Sequence, residues 1–251
     1  IGEFIAFRDS DDTVEAEYLS YLYELAEKYG ADIAVCAYEK VYADSDKTPN
    51  AADSSSAVNG HTDGGSDRCM NGNGSRECRE TNVYFDKEDA VKSLLYQRHF
   101  MSVPWGMISK RSLWDTVQFP EGQQAEDMAT IYKLFAASDG VAFGDRKLYK
   151  YYQRATNTMF STSDERNKYY FRHCDEMTAY IREHMPECIN AAFSRFFSAC
   201  CQILSETPHD NKHADLLSLV YDAVKNMRGT VLKDKNARLR NRVAAALSYI
   251  S

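Results

Sequence analysis

The first 38 residues constrain the fold more than any later stretch. Residues 3–8 form a short apolar run, and Val14, Tyr18, Leu22, Leu25 and Tyr29 then recur at helical spacing. This predicts a strand followed by a helix over Thr13 to Tyr29, stopped by Gly30. A second apolar run, DIAVCAY, covers Asp32 to Tyr38. Strand, helix, strand at this spacing is the βαβ pattern of an α/β sheet.

Between the first strand and the helix lies RDSDDTV, with Asp9, Asp11 and Asp12 crowded together. Three readings account for them. The plainest is capping: Asp12 precedes the helix, Glu15 follows three residues later, and acids suit a helix N-terminus. That leaves Asp9 and Asp11, which stand at the carboxyl end of a strand, where α/β sheets place their ligands. Two carboxylates on a tight turn offer hard oxygen donors to Mg²⁺ or Mn²⁺, with positions left for substrate phosphates. The string also fits the DxDxT[VL] pattern of haloacid dehalogenase-like phosphatases, with Asp9 as nucleophile and Asp11 as general acid/base.

Later residues separate these readings. The phosphatase chemistry needs an acidic pair at the tip of a core strand. The candidate pair, Glu126-Asp127, instead follows the turn FPEGQQA and opens a helix over Ala125 to Ala137. A carboxylate there can take the proton of an attacking hydroxyl in a glycosyl transfer; the alternative is two acids favoured by the helix dipole.

The rest of the chain supplies the frame. Residues 43–82 are rich in Ser, Asn, Asp and Gly and poor in large apolar side chains, which predicts a mobile insertion. A helix is expected after Asp86, with strands at 141–143 and 147–152. Beyond residue 163 the pattern is helical, punctuated by Pro186, Pro208 and Gly229. Three apolar stripes mark its inner faces, the last being Leu239, Val243, Leu247 and Ile250. Lys233, Lys235, Arg238, Arg240 and Arg242 make the last helix a basic amphipathic one, either a solvated face or a contact with an anionic membrane.

The net charge of −7 excludes a general nucleic-acid binder. No apolar run reaches the ~20 residues of a membrane span. The seven scattered cysteines suit free thiols in a reducing compartment; Cys69 with Cys78 is a weak metal or disulfide candidate. His209 and His213 have the spacing of a helical metal pair, but no carboxylate motif accompanies them, so a solvated helix start is expected.

Three segments, in order, resemble glycosyltransferase family 2. They are GEFIAFRDSDD with its helix and GADIAVCAYE, then FPEGQQAEDM, then LYKYYQRATNTM. The resemblance implies a GT-A (Rossmann-like) α/β core over residues 1–160 and a C-terminal helical subdomain over 161–251. It implies that Asp9 and Asp11 hold the metal and the nucleotide diphosphate, that Asp127 is the catalytic base, and that Glu126 shapes the acceptor site. Arg154 falls where a basic residue would meet the diphosphate; Trp105 stands where an indole either stacks on a sugar or belongs to the core. Two positions depart from the family pattern: Arg8 replaces an apolar residue, and Met107 stands where Lys is common. The family's N-terminal part is not matched, so the chain reads as a truncated domain with little or no transfer activity.

The implied activity is metal-dependent, inverting transfer from a nucleotide-diphosphate sugar to a saccharide or lipid-linked acceptor. It is expected in bacterial surface polysaccharide synthesis, in the cytoplasm or peripherally at the inner face of the membrane. The alternatives are the dehalogenase-like phosphohydrolase on Asp9/Asp11 and an inactive binding or structural fragment.

Overall fold

The computed structural model describes residues 2–42, 81–153 and 164–250. The expected insertion lies outside the described residues except at its end, where Asn82 already begins a strand. Cys69, Cys78 and Arg154 also lie outside them.

The described elements are β1 (Phe4–Ala6), β2 (Thr13–Val14), α1 (Tyr18–Tyr29), β3 (Ile33–Tyr42), β4 (Asn82–Asp86), α2 (Lys87–Leu95), β5 (Met107–Lys110), α3 (Glu126–Ala137) and β6 (Gly140–Gln153), followed by α4 (Asp164–His184), α5 (Ile189–Glu206), α6 (Ala214–Lys233) and α7 (Leu239–Leu247). The sheet order is β1-β5-β3-β6-β2, and β4 also pairs with β6. β5 runs antiparallel to both β1 and β3, so β1 and β3 point the same way and their carboxyl ends share one edge. β3 and β6 form a parallel pair with an irregular register around Cys36 to Tyr38.

Alternation along β3 explains how the sheet is covered on both faces. Ile33 packs into the cluster that holds Leu94, Phe135 and the C-terminal helices. Ala34 and Cys36 face the other way, against Tyr18, Leu22, Leu25 and Ala26 of α1. The cluster containing Ile33 continues through Cys174, Met177, Phe197, Val220 and Met227 to Ala245, so the C-terminal helices share one core with the sheet.

Several boundaries differ from expectation. α1 begins at Tyr18, because Thr13 and Val14 pair with Lys150 and Tyr149 of β6 and are drawn into the sheet. The residue before α1 is Glu17, which makes no side-chain cap. Asp12 and Glu15 therefore do not form a capping box. The two strands expected at 141–152 are one long strand, bent where the register shifts. Gly229 does not end a helix, since α6 runs through it to Lys233. The stripe Leu239, Val243, Leu247 and Ile250 faces outward, because Asn241 and Ala245 occupy the inner face of α7. Gly30 closes α1 in the left-handed conformation, φ 60°, as expected, and Asp86 caps α2 by accepting from the Asp89 amide at 2.9 Å.

Candidate active site

The acidic turn leaves β1 at the carboxyl edge of the sheet and is closed by the Asp12 amide donating to the Asp9 carbonyl at 3.2 Å. Its three aspartates divide by environment. Asp12 is 1% exposed. Its carboxylate accepts from the Tyr149 hydroxyl at 2.8 Å and from the Tyr152 amide at 2.9 Å, both on β6. Arg8 donates to the Asp12 carbonyl. Glu15, instead of capping, pairs with Lys150 at 2.6 Å. Asp12 is thus the tie between turn and sheet, while Asp9 and Asp11 remain exposed.

Each aspartate offers a carboxylate oxygen within 4.8 Å of the others. Burial, then the charges of Asp12, Asp11 and Glu126, push the Asp9 carboxyl above its ordinary value. Uncompensated negative charge on hard oxygen donors is the chemistry that a divalent cation relieves. The residues present therefore fit Mg²⁺ or Mn²⁺, with Asp9 and Asp11 free to ligate.

Glu126 and Asp127 open α3, as the sequence predicted. The preceding turn has Gly122 at φ 67°, which glycine tolerates, and Ala125 at φ 56°, which a side chain resists. The helical region holds this turn in place: Arg172 donates to the Gln123 side chain, and His173 Nε2 lies 3.2 Å from the Gln124 carbonyl. Burial, then Glu126 and then Asp9, push the Asp127 carboxyl up to about 7. Asp9 is the smallest of the influences on Asp127, and Glu126 the smallest of those on Asp9, so the two acidic elements lie within electrostatic reach of one another.

Trp105 is packed behind the acidic turn, bridged to Phe7. Its indole stacks on Tyr149 at 4.6 Å and on Tyr151 at 5.2 Å, meets Tyr38 edge-on at 5.3 Å, and is 7% exposed. What it presents to a ligand is the small part that lines a cavity of about 380 Å³ along the carboxyl half of β3. Tyr38, Lys40, His99, Phe143 and Lys147 line the same cavity. Met107, on β5, is buried with 3% exposure. His213 does stand at a helix start, but buried between carboxylates: Asp210 at 2.5 Å and Asp164 at 2.8 Å.

Sequence reasoning missed Tyr149, whose hydroxyl also accepts from the Asp9 amide at 3.2 Å. The signal available was the alternation of tyrosines in LYKYYQ, which places Tyr149 and Tyr151 on one face of a strand.

Residues 1–116 match the family model for glycosyl transferase family 2. No curated protein matches the sequence. Among solved structures, S. aureus TarS residues 1–349 in complex with UDP-GlcNAc aligns with a TM-score of 0.60 at 15% identity, over 100% of this chain and 68% of that one. The same TarS segment in a second structure aligns with a TM-score of 0.60 at 14% identity, over 100% and 67%. The likeness establishes a fold of the GT-A type over the whole chain. The chain thus carries glycosyl transferase family 2 sequence over residues 1–116, on the GT-A fold that the resemblance implied.

Proposed function

We propose that the protein is a metal-dependent, inverting glycosyltransferase that moves a sugar from a nucleotide-diphosphate donor to a saccharide or lipid-linked acceptor. The observation that carries this reading is the pair of acidic elements, the Asp9/Asp11 turn after β1 and Asp127 in the first turn of α3, where burial, then Glu126 and Asp9, push the Asp127 carboxyl up to about 7. A base serves best when its pKa is near the working pH, and a proton acceptor beside a diphosphate site is what an inverting transfer needs. The TarS complex, whose ligand is UDP-GlcNAc, supports a nucleotide sugar as donor.

In this reading Asp9 and Asp11 hold Mg²⁺ or Mn²⁺, which when bound neutralises charge on the departing diphosphate. Asp12, fixed by Tyr149 and Tyr152, sets the turn that aims them. Asp127 takes the proton of the acceptor hydroxyl as its oxygen bonds to the anomeric carbon and the bond to the diphosphate oxygen breaks. Glu126 borders the acceptor. The cavity along β3, on the same sheet edge as Asp9, is large enough for a sugar. Residues 1–160 form the catalytic core and 161–251 its helical support. Surface polysaccharide synthesis at the inner face of a bacterial membrane is the setting that suits this chemistry.

Thermal shift with UDP-GlcNAc and Mn²⁺ tests the reading. Stabilisation should need both ligands and disappear in Asp9→Asn and Asp11→Asn. Phosphate release from a simple phosphomonoester, abolished by Asp9→Asn, would instead establish a phosphohydrolase.

A further inference from the structure

The chain enters α3 under strain and without a cap. Ala125, the residue before the helix, sits at φ 56° and ψ 36°, in the left-handed region that a side chain resists, and makes no side-chain cap. Left to itself such an entry would relax, and a changed dihedral at Ala125 would swing the first helical turn, where Asp127 stands. The hold comes from the helical region. On α4, His173 Nε2 lies 3.2 Å from the carbonyl of Gln124, the residue before Ala125. A carbonyl oxygen only accepts, so Nε2 carries the hydrogen and donates it. On the far side of Asp127, Arg195 of α5 donates to the Met128 sulfur at 2.9 Å. Gln124 and Met128 are thus each tied to a helix of the C-terminal region, and Asp127 lies between them.

The imidazole serves that bond more than it serves packing. Its side chain is 1% exposed, and its ring stacks on Tyr169 with 5.9 Å between centroids. Nδ1 has no hydrogen-bond partner among the described residues, and the Glu176 carboxylate lies 3.5 Å from it. A buried nitrogen without a partner lowers stability, a loss that an apolar ring at this position would avoid. What an apolar ring cannot supply is the Nε2 hydrogen. Arg172 beside it is 49% exposed, is shared with Glu176 and Tyr169, and reaches only the Gln123 side chain. From α4, the backbone of the turn is therefore held by His173.

We propose that His173 is a positioning residue for Asp127, fixing the strained entry to α3 so that the carboxyl stays in its half-buried place. Its part in transfer rests on Asp127 being the base; its hold on the carboxyl does not. The test is the titration of the Asp127 carboxyl without divalent cations, read by NMR on protein carrying ¹³C in its aspartate side chains and assigned with Asp127→Asn. His173→Phe keeps the ring and the stack on Tyr169 but loses the donor. In it the Asp127 midpoint should fall from about 7 toward the ordinary 3.8, as the freed turn lets the carboxyl reach water. His173→Gln places an amide donor where Nε2 stands and should keep the parent midpoint. In a transfer assay the Phe variant should lose roughly 10²-fold in kcat with the donor KM unchanged, and the Gln variant should recover it. A parent protein without transfer would count against the proposed function, and the titration would still decide the role of His173. A parent midpoint retained in the Phe variant, even with a lower thermal midpoint, would reduce His173 to packing and overturn the proposal. So would a Gln variant that shifts as far as the Phe variant, or a parent carboxyl that already titrates near 3.8.

Discussion

Tyr149 holds the acidic turn through Asp12: its hydroxyl donates to the buried carboxylate at 2.8 Å and accepts from the Asp9 amide at 3.2 Å. One side chain on β6 thereby fixes both ends of the segment that presents Asp9 and Asp11. Tyr149→Phe keeps the ring stack on Trp105 and removes only the hydroxyl. It should destabilise the protein by about 1–3 kcal/mol, since a buried carboxylate oxygen loses its donor. Denaturant unfolding measures that loss, and Mn²⁺ titration should show weaker binding in the same variant. Unchanged stability and unchanged Mn²⁺ affinity would remove Tyr149 from the site.

Asp127 should trade stability for function. Its pKa is raised from 3.8 to about 7 on folding, so the folded protein holds the proton more tightly than the unfolded chain. The group's contribution to stability is full below the unfolded value and is lost as pH rises through about 7. Asp127→Asn should accordingly stabilise the protein at pH 8 by on the order of 1–2 kcal/mol, and not at pH 4. Transfer should fall by roughly 10²–10⁴ in the same variant. In the parent protein the rate should drop as pH is lowered through 7. Thermal melts at the two pH values and a pH–rate profile check both halves.

Trp105 separates a packing role from a ligand role. Buried at 7% exposure against Tyr149 and Tyr151, its replacement by alanine should cost about 3–5 kcal/mol. A platform for the acceptor sugar would behave differently, raising KM while stability stayed nearly unchanged. Urea denaturation of Trp105→Ala decides between them.

His213 links α4 to the turn before α6, with Asp164 on one nitrogen and Asp210 on the other, and Lys212 beside Asp164. Two carboxylates at one ring favour the imidazolium, and the Asp164 bond chiefly raises its pKa above 6.5. The stability it contributes is full below 6.5 and lost as pH rises through the folded value. The thermal midpoint should decline above pH 6.5 in the parent protein, and that decline should flatten in His213→Gln. A parallel decline in both proteins would show that the latch does not titrate.

The sequence by itself determined the local pieces. Periodicity marked α1, α3 and the inner stripes of α5 and α6, and a left-handed glycine closed α1 where Gly30 stands. The resemblance carried by three ordered segments implied family 2 and the pairing of an aspartate turn with Glu126-Asp127. These signals are legible because spacing, caps and turn chemistry act over a few residues.

Tertiary structure decided what those pieces do. Asp12 looked like a cap, but a helix cap makes one bond to a near neighbour, whereas the sheet offered it the Tyr149 hydroxyl and the Tyr152 amide. The sequence leaves Trp105 open between a sugar platform and a core aromatic, because the partners it packs on, Tyr149 and Tyr151, lie far along the chain. The stripe on α7 has the spacing of a core face, yet Arg238 and Asn241 turn it outward through contacts with the Tyr96, Gln97 and Ser194 carbonyls. Spacing tells which side chains share a face; only packing against distant segments decides which way that face turns and which carboxylate is left to meet a ligand.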